Sequence, residues 1–431
     1  MSYKKYTLKN GMRLVVVPLK SNPTATVMIT ANVGSRYELA ENSGISHFLE
    51  HLMFKGTKQK TSREIMLELD TLGAAYNAFT SYEVTAYWVK SNKKFLDKTS
   101  DILLDLYLNA QIPEQELEKE RGVILEEINM YEDDNQSKVH DVLRTLIYGD
   151  NQLGRPIIGT KENIKKLQRD DFMKYKEIFY NGPSTTIVIS GDVNPVQIKK
   201  SIEQRIEKIS GEKLLDSKLA KGKLNKVSKI KEKQSKPQVK IFNKKTDQTH
   251  MVLAFRTFDF YHKDMSTMKV LQGILSAGMS SRLFHKMREE LGICYYCYAA
   301  PEYSYDSGYL GIFAGVGNKR LEEAIQAIMD ILRDIKNNGV TEKELDKVKK
   351  NFTGKMAMSL ESSDDFATFY GQQEFFHHKI KHPKEKLQEI KAVTVNDVKK
   401  LANKILKEEK ANLAIVGPHK NETKLEKLLN F

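Results

Sequence analysis

The sequence holds only two cysteines and one tryptophan in 431 residues, and nowhere do 18 apolar residues follow one another. Two thiols do not make the dense disulfide framework of a small secreted domain. They cannot alone complete a four-ligand structural zinc site. The lack of a long apolar run excludes a transmembrane helix. No apolar stretch follows Met1-Ser2-Tyr3-Lys4-Lys5-Tyr6, so the pattern of a secretory signal is missing and the expected location is the cytoplasm. Acidic residues are outnumbered, and the net charge is +13. Much of that excess lies in one Lys-rich stretch without a nucleic-acid-binding motif. It reads as solvated surface, and neither nucleic acid nor membrane is expected as a partner.

The two cysteines, Cys294 and Cys297, are spaced C-x-x-C within Ile293-Cys294-Tyr295-Tyr296-Cys297-Tyr298. This segment reads as a strand, where residues three apart face opposite sides. The expectation is two separate buried thiols, in preference to a redox or metal pair.

A chain of 431 residues is too long for one ordinary core and calls for two or three domains. The segment 211–237 carries Lys213, Lys218, Lys221, Lys223, Lys226, Lys229, Lys231, Lys233 and Lys236 with few large apolar residues. It reads as a linker between domains 1–210 and 238–431. The two sides repeat each other. Thr185-Thr186-Ile187-Val188-Ile189-Ser190-Gly191 has the form of Ala411-Asn412-Leu413-Ala414-Ile415-Val416-Gly417, and Gly191 and Gly417 are 226 positions apart. Asp171 and Asp397, and Ile164 and Ile390, share that offset, while Pro113 to Leu117 parallels Thr341 to Leu345 at 228. Nearly constant offsets over separate segments indicate a duplicated domain.

Within the first half the pattern predicts a hairpin over 6–18, a strand over 26–33, and helices over 41–54 and 62–72. A second hairpin over 75–90 and helices over 95–108 and 114–130 follow. Strands and helices mix without strict βαβ alternation. The fold class is α+β, with two homologous domains, each a mostly antiparallel sheet packed with helices.

The chemistry concentrates in His47-Phe48-Leu49-Glu50-His51. Histidines four apart on a helix project from one face, within reach of one ion, and Glu50 lies on the same side. Two imidazoles and a carboxylate base are the equipment of zinc-assisted hydrolysis, here in the inverted order His-x-x-Glu-His. A catalytic zinc needs a third protein ligand. The acidic helix 114–130 offers Glu120 and Glu127, seven apart and so on one face, whereas Glu126 is turned about 100° away. Glu127 stands among Val123, Ile124 and Ile128, and a partly buried carboxylate needs a partner.

The run His47 to Thr57, followed by Glu120-Arg121-Gly122-Val123-Ile124-Leu125-Glu126-Glu127-Ile128, resembles the pitrilysin/insulinase family of zinc peptidases. Within it the resemblance is to the branch of the mitochondrial processing peptidase beta subunit and its bacterial relatives. It implies His47, His51 and Glu127 as zinc ligands, Glu50 as general base, and Glu120 as a carboxylate holding a ligand histidine. Asn77-Ala78-Phe79 then resembles the family's substrate-aligning strand. Gly73-Ala74-Ala75 stands where relatives often carry paired glycines, a departure that bears on the turn before it.

The second half lacks the motif, and Lys355 stands 228 positions after Glu127. It does contain Arg288 and, seven residues later, Tyr295, which resemble the family's Arg/Tyr pair. In the family that pair donates hydrogen bonds to the substrate at the metal. The resemblance therefore implies a zinc metalloendopeptidase acting on short unfolded peptides in a closed chamber, with one zinc per chain. It also implies a homodimeric clamshell, the alternative being a heterodimer with a paralogue. The competing function is a non-catalytic scaffold or assembly subunit of the same fold.

Overall fold

Strands of four to ten residues, the central ones apolar and buried, build two sheets on one plan. A computed structural model describes residues 3–210, 227, 229–230, 233–377 and 379–431. Most of the Lys-rich segment 211–237 lies outside the described residues.

The first sheet comprises β1 (Lys4–Thr7), β2 (Arg13–Pro18), β3 (Thr24–Ala31), β4 (Ala75–Thr80), β5 (Thr85–Asn92) and β6 (Thr185–Gly191). Their order is β1-β2-β6-β3-β5-β4. The second comprises β7 (Gln238–Asn243), β8 (Gln248–Arg256), β9 (Cys294–Tyr303), β10 (Gly308–Gly317) and β11 (Ala411–Gly417), in the order β7-β11-β8-β10-β9. Apart from β1, the sheets correspond strand for strand. Each contains one parallel pair, β2 with β6 and β7 with β11, and antiparallel pairs elsewhere. The fold is α+β with two homologous sheet-and-helix domains, and the sheets are mixed but mostly antiparallel.

The residues that revealed the repeat do the same work in both copies. Asp171 accepts from the backbone N–H of Gln168, and Asp397 from that of Thr394, each at 2.9 Å, closing the first turns of helices Arg169–Phe179 and Val395–Ile405. Ile164 and Ile390 are both buried, as are the central strands β6 and β11 throughout.

The chain forms two compact units. One contains Met1–Asn129, Pro156–Val227 and Ser359–Ile380; the other contains Met130–Arg155, Ser228–Met358 and Lys381–Phe431. In the first, helix Ser363–His377 covers the face of β2, β3 and β6 opposite the main core, burying Phe366, Ala367 and Tyr370 against Val15, Val17 and Val188. Ser363 ties it to the sheet through Thr24 and Thr26 at 2.9 and 2.8 Å. In the second, helix Asn135–Tyr148 covers β8 and β11, burying Val139, Leu143 and Ile147 against Val252, Ala254 and Val416. Each sheet is thus completed by a helix from the other half of the sequence.

One local expectation fails. Cys294 pairs with Val316 and Tyr296 with Gly315, so β9 carries a bulge and Tyr295 is its extra residue. The bulge resets the alternation. Cys294 and Cys297 therefore share the face that packs on the second unit's core, while Tyr296 and Tyr298 take the other.

Candidate metal centre

Helix Ile45–Leu52 buries Ile45, Phe48, Leu49 and Leu52 in the first unit's core, which leaves His47 and His51 half-buried on the opposite side. The helix is shorter than the predicted 41–54. Its N-terminus is set at Gly44, whose φ of 102° suits glycine, and a Cβ there would meet the carbonyl oxygen of Ile158 at 2.7 Å. The buried carboxylate of Glu38 accepts from the backbone N–H groups of Gly44 and Ser46, both at 2.8 Å. An anion at this end satisfies orphan donors and faces the positive end of the helix dipole.

Helix Glu114–Asp133 supplies the carboxylates. Arg121 fixes its rotation by donating to the carbonyls of Ile164 and Leu167. Glu120 and Glu127 point toward the histidines, and Glu126 is exposed. Oε2 of Glu127 lies 3.8 Å from Nε2 of His47 and 3.7 Å from Nε2 of His51. Oε1 of Glu120 lies 2.8 Å from Nδ1 of His51. That bond places the proton on Nδ1 and turns the Nε2 lone pair toward Glu127.

The three atoms fit a metal. A tetrahedral zinc about 2.0–2.2 Å from each ligand sets the ligands about 3.3–3.6 Å apart. Here the two spacings to Glu127 slightly exceed that, and all three ligand atoms lie within 4.8 Å of one another. Oε2 of Glu127 is also buried without a hydrogen-bond partner, and an orphaned buried carboxylate oxygen calls for a cation. Burial, and then His51, push His47 down to about 3, so its ring is neutral and ready to ligate. Burial opposes a charged His51, but Glu120, Glu50 and Glu127 together raise its pKa. Burial, with a smaller contribution from Glu120, raises Glu127.

Glu50 is buried beside the pair, and burial raises its pKa even though the hydroxyl of Thr80 donates to its Oε2 at 2.9 Å. Thr80 ends β4, an edge strand of the first sheet, on which Asn77 and Phe79 are exposed and Ala78 is half-buried. The turn into β4 needs only one glycine. Gly73 has a φ of 59° and follows helix Ser62–Thr71, whereas Ala74 keeps a negative φ and hydrogen-bonds Leu69.

Arg288 and Tyr295 lie in the second unit. Arg288 sits in a π-helical turn, His285–Glu290, and both side chains are exposed. The Arg288 guanidinium donates to the carbonyl of Tyr295 at 3.2 Å and lies 5.7 Å from the centre of its ring.

Sequence reasoning missed three residues here. Lys55 lies 2.5 Å from Oε2 of Glu120, Thr80 holds Glu50, and Glu38 caps the helix. Lys55 stands four residues after His51, a spacing that could have flagged it. Thr80 and Glu38 carry no comparable signal.

The comparisons with known proteins agree over nearly the whole chain. Residues 14–161 match the family profile described as insulinase (peptidase family M16), and residues 166–352 match the peptidase M16 inactive domain. The chain is 35% identical over 421 residues to YmxG, an uncharacterized zinc protease of Bacillus subtilis, covering 97% of this chain and 99% of that one. It is 30% identical over 427 residues to an uncharacterized zinc protease of Mycobacterium leprae, covering 99% and 94%. Its fold is similar to the crystal structure of a protease from Helicobacter pylori, with a TM-score of 0.90 at 24% identity over 97% and 99% of the two chains. The chain belongs to the insulinase family of peptidases, family M16.

Proposed function

We propose that this chain is a zinc metalloendopeptidase, with one zinc per chain, that hydrolyses short unfolded peptides in a closed chamber. The observation that carries the reading is the convergence of His47 Nε2, His51 Nε2 and Glu127 Oε2 beside the buried carboxylate of Glu50. A zinc ion held there supplies Lewis acidity toward the scissile carbonyl.

The remaining work falls to side chains and backbone. Glu50 takes a proton from the attacking water and returns it to the leaving amine. Its raised pKa suits a group that must both accept and release a proton. Thr80 holds that carboxylate in line. The peptide adds as a further strand along Asn77, Ala78 and Phe79, since an edge strand offers main-chain hydrogen bonds to any extended peptide. Arg288 and Tyr295 donate to the oxyanion of the tetrahedral intermediate. Support for that assignment is their mutual contact, their exposure and the suitability of both groups as donors. The chamber belongs to a homodimeric clamshell in which the Arg/Tyr pair of one chain serves the metal centre of the other; the alternative is a heterodimer with a paralogue.

Digestion of a mixed peptide library with and without a chelator, read by mass spectrometry, tests the reading. Chelator-sensitive cleavage is the expected result. Protein that binds no zinc and cuts nothing would instead support a scaffold role.

A further inference from the structure

The bulge in β9 joins a feature that the proposed chemistry does not use, the two thiols, to two that it does, a phenol and a guanidinium. Cys294 and Cys297 lie on one face of the strand, where both pack on the second unit's core. Between them stands Tyr295, the extra residue, whose side chain is 75% exposed and whose carbonyl accepts from Arg288. We propose that Cys294 and Cys297 form a reversible disulfide whose closure withdraws Tyr295 and Arg288 from substrate. The consequence for activity rests on the reading of that pair as oxyanion donors.

The geometry supplies both the reactivity and the coupling. The bulge sets the two cysteines opposite Val316 and Ala314, only two residues apart on β10, so their Cα atoms are about 7 Å apart, at the upper edge of the roughly 4.4–6.8 Å that a disulfide needs. Closure must therefore tighten the strand between the two cysteines. Tyr296 is held on the opposite face, where its hydroxyl lies 2.9 Å from Nδ1 of His250 and its ring lies over Gly315. The change consequently falls on Tyr295, and with it on the carbonyl that Arg288 bonds. β9 is an edge strand of its sheet and, among the described residues, pairs only with β10, so it can contract without breaking a second ladder. The adjacent Cys297 thiol, and the nearby charge of Arg288 against the opposing effect of burial, lower the pKa of Cys294. Cys294 is then the attacking thiolate and Cys297 the resolving thiol.

The oxidant class is a hydroperoxide. The Cys294 thiolate attacks the terminal oxygen, the O–O bond breaks, and an alcohol leaves after protonation (water, from hydrogen peroxide). The sulfur of Cys297 then attacks the sulfenic acid, the S–S bond forms and water leaves. Two electrons pass from the thiol pair to the peroxide, and a dithiol reverses the change by exchange.

The test treats the full chain, zinc bound, with hydrogen peroxide and then with dithiothreitol. Peptide mass spectrometry counts the Cys294–Cys297 disulfide, and peptidase assays follow in parallel. The expected result is a disulfide, a fall in kcat on the order of 100-fold, comparable to loss of an oxyanion donor, and recovery with dithiothreitol. Cys297→Ser and Cys297→Ala should keep the starting activity and lose the peroxide response. Absence of the disulfide would overturn the proposal and leave the peptidase reading untouched. A disulfide with unchanged activity would overturn it as well; if Arg288→Ala is then equally silent, the donor assignment falls with it.

Discussion

Glu120 and His51 are joined by a 2.8 Å hydrogen bond between Oε1 and Nδ1, and the other oxygen of Glu120 lies 2.5 Å from the ammonium of Lys55. The carboxylate is thus braced from both sides. It fixes the ring so that Nε2 faces Glu127. Replacing Glu120 by Gln should weaken zinc binding by about 10–100-fold, measured by competition with a chromophoric chelator. A second variant, Lys55→Met, should weaken it less, because the histidine keeps its carboxylate. Unchanged affinity in Glu120→Gln would remove the positioning role.

Glu50 offers the separation of metal binding from chemistry. Its carboxylate is held by Thr80 at 2.9 Å. Glu50→Gln preserves the shape and should retain one zinc per chain by metal analysis, while kcat falls by about 10²–10⁴. Full cleavage by this variant would sink the proposed mechanism.

Glu38 anchors the helix that bears His47 and His51 through the N–H groups of Gly44 and Ser46. Each such bond to a charged group is worth about 1.5–3 kcal/mol. Glu38→Ala should lower the unfolding free energy by about 2–4 kcal/mol in urea titrations, and Glu38→Gln by less. A midpoint that does not move in Glu38→Ala contradicts this account. Gly44→Ala should destabilise too, since it adds a Cβ against the Ile158 carbonyl at a φ that disfavours any side chain.

Lys176 gives a pH signature away from the metal centre. Burial, aided by Lys58, pushes its ammonium down to about 8, although its Nζ still donates to the carbonyl of Leu108 at 2.9 Å. The unfolded chain holds this proton up to about pH 10.4. Between about pH 8 and 10.4 the unfolded state therefore binds more proton than the folded state, and stability rises with pH. The rise is at most about 3 kcal/mol, and below pH 8 the full penalty persists. Unfolding free energies at pH 7.5 and 10, compared between the parent and Lys176→Met, should show the increment only in the parent. Equal pH dependence in the two proteins would contradict the shifted titration.

Much of the candidate metal centre was legible because it is written in short-range periodicity. Histidines four apart and glutamates seven apart must share helix faces whatever surrounds them, and the structure brings His47, His51, Glu120 and Glu127 together. The duplicated strands and their capping aspartates were legible for the same reason. Arg288 and Tyr295 were singled out only through resemblance, since nothing in an exposed helical turn or a strand residue marks them.

By itself, then, the sequence determined the local elements, the repeat and the side chains that can share one ion. Only the tertiary structure decided which sheet each covering helix joins. The helices Asn135–Tyr148 and Ser363–His377 each carry an apolar face that satisfies the burial requirement of either sheet, so the pattern alone cannot assign them. Only the tertiary structure decided the bulge at Tyr295, because where one strand takes an extra residue is set by its pairing with the partner strand, which the strand's own sequence does not carry. The contacts of Glu38 and Thr80 likewise depend on chain segments that meet through folding, at distances no spacing in the sequence encodes.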